Sequence, residues 1–166
     1  RQDTIVGVGL LITVPTGQYY SDKLVNLGTH RWSFKPEVGI SKAFGNWILE
    51  GAGAAKFFTT NEEFFPGAST REQAPLYSVQ GHAIYTFRSG MWAALDATYY
   101  SGGRTTVNGV RNEDLQQNSR WGATVALPVD ARRSVKLFFS SGVSSRIGAN
   151  FTTVGAIWQY RWGAGM

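Results

Sequence analysis

Residues 31–41 read RWSFKPEVGIS, and the alternation in that stretch decides the fold. Trp32, Phe34, Pro36, Val38 and Ile40 occupy one parity; Arg31, Ser33, Lys35, Glu37, Gly39 and Ser41 occupy the other. A helix, with about 3.6 residues per turn, cannot sort those two sets onto separate faces, whereas a strand does so at every step. One face of this element is built for an apolar medium and the other for a polar one.

The same period runs outward in both directions. Toward the N-terminus, Val6, Val8, Leu10, Ile12 and Val14 alternate with Gly7, Gly9, Leu11 and Thr13. Toward the C-terminus, Leu49, Gly51, Gly53, Ala55 and Phe57 oppose Glu50, Ala52, Ala54 and Lys56, and Tyr77, Val79, Ala83, Tyr85 and Phe87 oppose Ser78, Gln80, His82, Thr86 and Arg88. Further strands read over 91–101, 119–128, 134–143 and 150–162. That makes about eight strands, each near the length of about 9–11 residues that crosses a bilayer at a tilt. The connections alternate in length. Phe44-Gly45-Asn46, Ser89-Gly90 and Pro128 to Arg133 are short turns, while 15–30, 59–75 and 102–118 are long and polar, and 143–150 is intermediate. Short turns at one end and long loops at the other are the pattern of an antiparallel up-and-down transmembrane β-barrel, here read as a single domain over 1–166.

Composition agrees. The 166 residues include 20 Gly and carry 14% aromatics but only 16% charge, with a mean hydropathy of −0.17. No run of about 20 apolar residues supplies a membrane helix, a criterion that a barrel does not need to meet. The absence of cysteine removes disulfides and thiolate zinc sites. The net charge of +5 is scattered along the chain, which argues against a nucleic-acid surface. The chain opens on Arg1-Gln2-Asp3, with neither a start methionine nor a signal peptide, and reads as a mature, trimmed or partial chain. Aromatics cluster near strand ends: Phe44, Trp47, Phe87, Trp92, Trp158, Tyr160 and Trp162 toward the short turns, and Trp32, Phe57, Tyr77, Tyr99 and Trp121 toward the long loops. These are expected to form the two membrane belts at headgroup level. A soluble sandwich would instead concentrate aromatics at strand centres, and a lipocalin-like carrier would reverse the two faces.

Five runs carry a resemblance: RQDTIVG at 1–7, NLGTHRWSFKPEVGISKAFG at 26–45, TREQAPLYSVQGHAIYTFRSG at 70–90, ALDATYYSGGRTTVNGVRNEDLQQN at 94–118 and WQYRWG at 158–163. They resemble the family assigned to the MetA pathway of phenol degradation, over essentially the whole chain. The resemblance implies a Gram-negative outer-membrane, porin-like transporter for hydrophobic or aromatic compounds, such as would serve aromatic compound uptake. It implies no catalytic residues and no cofactor. Members are usually longer at the N-terminus, so it also implies a chain lacking several strands of a barrel of about twelve.

On the polar parity, Lys35, Glu37, Glu50, Lys56, His82, Arg88, Asp96, Arg120, Lys136 and Arg161 are the expected lumen-lining residues. In a small barrel such charges pair into a structural plug; in a wider one they line a wet channel. His82 with Ser78 and Glu50 has the residue types of a hydrolytic triad, which would make a lipid-modifying envelope enzyme, but a satisfied lumen histidine is the plainer reading. Asn61, Glu62 and Glu63 read as a solvated acidic loop before a cation site, and no metal is expected. Phe64 and Phe65 in the same loop are expected to fold over the mouth and touch an apolar solute. The expected partners are therefore outer-membrane lipid, lipopolysaccharide and a small apolar or aromatic solute, with no nucleic acid and no cofactor.

Overall fold

The computed structural model describes residues 3–148 and 150–163. In chain order the strands are β1 (Thr4–Thr13), β2 (Ser33–Phe44), β3 (Trp47–Phe58), β4 (Asn61–Phe64), β5 (Ser69–Gln73) and β6 (Leu76–Thr86). They continue as β7 (Trp92–Gly102), β8 (Thr105–Val107), β9 (Val110–Arg111), β10 (Gln116–Pro128), β11 (Arg133–Ser145) and β12 (Thr152–Tyr160). Eight of them form one sheet in the order β1-β2-β3-β6-β7-β10-β11-β12, every neighbour antiparallel. Among the described residues β1 and β12 pair with no strand on their outer sides, so this wall has two open edges.

Turn chemistry sets the short end. Phe44 pairs with Trp47 across Gly45-Asn46, and Gly45 takes φ 58°, a conformation that costs glycine nothing. The Val129–Arg132 turn is held by the Asp130 carboxylate, which accepts the backbone N–H groups of Arg132 (2.9 Å) and Arg133 (2.8 Å). Both described ends of the wall, Thr4 opposite Lys42 and Tyr160 opposite Arg133, lie at this short-turn end.

Register turns the alternation of single strands into two continuous faces. Val8, Val38, Gly53, Val79 and Tyr99 form one cross-strand row. Leu49, Ala83, Leu95, Ala123, Phe139 and Val154 form another. No second layer covers either face: the only buried apolar residues among those described are Ala94 and Ala126, while Val8 is 86% exposed and Leu95 61%. Water would penalise so large an apolar surface at about 25 cal/mol per Å², whereas lipid chains do not. The aromatic ladder near the short turns is continuous, with Trp47 on Tyr85 and Tyr85 on Phe87, each pair at 4.8 Å.

The long connections are not loops throughout. The segments 59–75 and 102–118, expected as irregular, carry β4, β5, β8 and β9, which make a second sheet in the order β4-β5-β8-β9. That order repeats β3-β6-β7-β10, so the four central strands of the wall run on past the apolar band. The break falls at Pro75, which has no N–H to donate, and at Gly102-Gly103, whose φ values are 121° and 66°. Hydrogen bonds still cross it, Gly103 N–H to Pro75 O at 3.0 Å and Ala74 N–H to Arg104 O at 2.9 Å.

Candidate functional site: the polar face of the wall

The central polar row reads Ser41, Glu50, His82, Asp96, Gly122, Ser140 and Thr153 across seven neighbouring strands. The next row toward the loops reads Gly7, Gly39, Ala52, Gln80, Thr98 and Arg120. Charged side chains therefore stand among Gly, Ala, Ser and Thr, which leave room beside them. One hollow of about 340 Å³ is lined by Gly7, Gly9, Glu37, Glu50, Gln80 and His82, among others.

Among the described residues the polar face of the wall has one Lys–Glu ion pair and one close His–Asp contact. Lys35 bonds Glu37 within β2 at 3.1 Å, and His82 Nδ1 meets Asp96 Oδ1 across β6 and β7. Arg120 donates to Ser140 Oγ (3.2 Å) and to the Phe151 carbonyl (3.0 Å), with the Phe151 ring 4.1 Å from its guanidinium. Lys136 lies 5.5 Å from the Trp92 ring and Lys56 5.3 Å from the Phe58 ring. Glu50 stands opposite both Ser41 and His82. Arg88 and Arg161 lie outside the wall strands: Arg88 is in the turn after β6, and Arg161, just past β12, donates its N–H to Arg132 O at 2.8 Å.

His82 and Asp96 have the contact that a His–acid dyad needs, but Ser78 is misplaced for a triad. It sits four residues along β6 from His82, about 13 Å at a strand's rise, and pairs with Ala54 and Tyr100. Among the described residues no serine hydroxyl bonds His82.

Trp92 is a correction to the belt expectation. It pairs with Thr86 and Ala126, one step from Lys136, so it shares the polar face. Its parity with Asp96 carried that signal; its nearness to a turn does not decide a face. Trp47, Tyr77, Tyr99, Trp121 and Trp158 fall in rows with Tyr85, Ala55, Val79, Ala97 and Val135 on the apolar face. Trp32 stacks on Phe34 at 6.3 Å and Tyr160 on Trp162 at 6.3 Å.

At the loop end, residues 14–32 fold onto the second sheet. The Tyr19 hydroxyl donates to Glu63 O (2.9 Å), and Asn61 Nδ2 donates to Tyr19 Oη (3.0 Å) and Thr29 O (3.3 Å). The buried Asn61 is thereby committed to holding the loop. Phe64 is half-buried, with the Arg71 guanidinium 4.9 Å from its ring, and half-buried Phe65 precedes a cis proline. Arg31 is buried and donates to Gln73 Oε1, and Gln73 donates to Gly103 O at 2.8 Å. Burial, and then the neighbouring Arg71 charge, bring the Arg31 pKa down to about 10. The reading of the sequence missed Arg71 and Gln73 because it took their segment as irregular. The available signal was Val107-Asn108-Gly109-Val110, a hairpin turn pair flanked by valines, with Asn108 at φ 49° and Gly109 at φ 78°.

Comparison with known proteins agrees with this architecture. The family described as "Putative MetA-pathway of phenol degradation" matches residues 2–161. The crystal structure of an outer membrane channel from Pseudomonas putida is similar at a TM-score of 0.81 and 23% identity. The match covers 95% of this chain and 59% of that one, so the chain spans under two thirds of the channel's length. No curated protein matches the chain.

Proposed function

Because the chain belongs to the MetA-pathway phenol-degradation family, we propose that it forms wall strands of a bacterial outer-membrane channel for small, poorly soluble compounds, aromatic ones among them. The observation that carries the reading is the contrast of the two faces. One is apolar and uncovered; the other sets a few charges among small residues, with Leu11, Leu76, Ile84 and Phe138 interspersed. Such a lining suits solutes with both an apolar body and a polar group. The open edges of β1 and β12 support a further part of the proposal, that additional strands close the barrel, because unpaired backbone in hydrocarbon costs several kcal/mol per group. No step of passage calls for a cofactor or for bond chemistry.

Conductance separates this reading from a plugged barrel that only supports the envelope. The full-length protein in a planar bilayer should give discrete current steps, and millimolar phenol should reduce the current by occupying the lumen. A flat trace would leave the plugged barrel standing. A current untouched by phenol would remove the aromatic solute.

A further inference from the structure

At the loop end of the polar face, cations and apolar side chains meet without enough anions to match. Leu11 lies opposite Lys35, and Lys56 lies opposite Leu76. The β2–β3 register is the same on both sides of Pro36, at Phe34↔Phe57 and Glu37↔Ala54, which sets Lys35 opposite Lys56. Like charges directly opposed on one face destabilise a sheet. One step toward the loops, the Phe58 ring has the Lys56 ammonium at 5.3 Å and the Arg31 guanidinium at 4.6 Å. Arg71 lies beyond Arg31, close enough to depress its pKa.

Two carboxylates are near, and both are engaged. Glu37 bonds Lys35 at 3.1 Å. Asp114 accepts the Thr105 N–H (2.8 Å) and hydroxyl (2.6 Å), and its charge already faces that of Arg71. Arg31 is 9% exposed, and while one arm reaches Gln73, its Nη1 is buried with no hydrogen-bond partner. The positive charge of a buried guanidinium, beside a second guanidinium and an ammonium, is unfavourable until an anion approaches.

We propose that this row is the entry site for small organic anions that carry an apolar body, aryl carboxylates and sulfonates being the simplest. The anionic group faces Lys56 and Arg71, the apolar body lies along Leu76, and Arg31 behind them supplies field rather than contact. The inference rests on the passage reading above and narrows the polar group of its solutes to an anionic one.

Liposomes containing the full-length protein test it with three permanently charged probes that leak little through lipid: benzenesulfonate, methanesulfonate and benzyltrimethylammonium. Benzenesulfonate should pass faster than the smaller methanesulfonate and faster than the cation of similar body. Lys56→Gln and Arg71→Gln should each slow it by about fivefold, the factor expected from unit charges about 4 Å apart in water. Lys56→Arg and Arg71→Lys should retain the parent rate, which shows that the loss is one of charge and not of folding. Equal passage of the aryl cation, or equal slowing of all three probes, overturns the site. If none of the probes passes, the conductance trace assigns the failure: steps without flux refute this site alone, and a flat trace refutes passage and the site together.

Discussion

Placing an arginine at Val38 should be far more damaging than placing one at Gln80. Val38 stands five residues from Ser33 and six from Phe44 along β2. With a rise of about 3.3 Å per residue and a strand tilt of about 40°, those ends lie about 13 and 15 Å away along the membrane normal. Val38 is thus near the midplane of a hydrocarbon layer about 25 Å thick on barrels of this kind. It is 53% exposed in a row with Val8, Gly53 and Val79, so a guanidinium there faces lipid with no partner in reach. The expected loss is about 2–4 kcal/mol. Gln80 is on the opposite face, between Ala52 and Thr98 and two strands from Arg120, where a cation meets water and hydroxyls. The expected loss there is under about 0.5 kcal/mol. Urea unfolding of the full-length variants from phospholipid vesicles, followed by tryptophan fluorescence, measures both. If Gln80→Arg costs as much as Val38→Arg, the assignment of faces is wrong, and with it the lumen.

Two further predictions concern the sheet at the loop end. Gly102→Ala would place a methyl group against the Pro75 carbonyl oxygen at a φ of 121°, so it should cost about 1–3 kcal/mol and speed amide exchange across 103–111. Gly51→Ala, which meets open space on the apolar face, should leave that exchange unchanged. Burial alone would raise the Asp114 pKa, but the Thr105 hydrogen bonds, a bond from its own backbone N–H and the Arg71 charge together outweigh it and hold the carboxyl below its ordinary value. A carboxyl depressed on folding stabilises above the ordinary pKa of about 3.9, and that contribution is lost as pH falls through the folded value. Exchange protection over 103–115 should therefore weaken below about pH 4, and Asp114→Asn should flatten that dependence. An unchanged acid profile in the variant would show that Asp114 does not hold this sheet.

How far the sequence could be read depended on whether the signal was local. Alternation of period two is written into each strand, so the eight wall strands and the parity of Lys35, Glu50, His82 and Asp96 were legible residue by residue. Gly-Asn and Ser-Gly marked the short turns for the same reason: a turn needs only its own backbone. The second sheet was harder to see because β8 and β9 are 3 and 2 residues long, too short to establish a period. Trp92 shows the opposite failure, where a level near a turn was allowed to outweigh parity.

What residue order determined by itself is that every wall strand has one lipid-compatible face and one polar face, since side chains of a strand must alternate. Register decided the rest. Which polar group stands beside which is fixed by contacts between separate segments, as in His82 beside Asp96, 14 residues on, and Arg31 drawn to Gln73, 42 residues on. Lys35 and Lys56 are unremarkable in the chain. They become neighbours only when antiparallel pairing sets them opposite each other, because Coulomb energy depends on distance in space and not on separation in sequence.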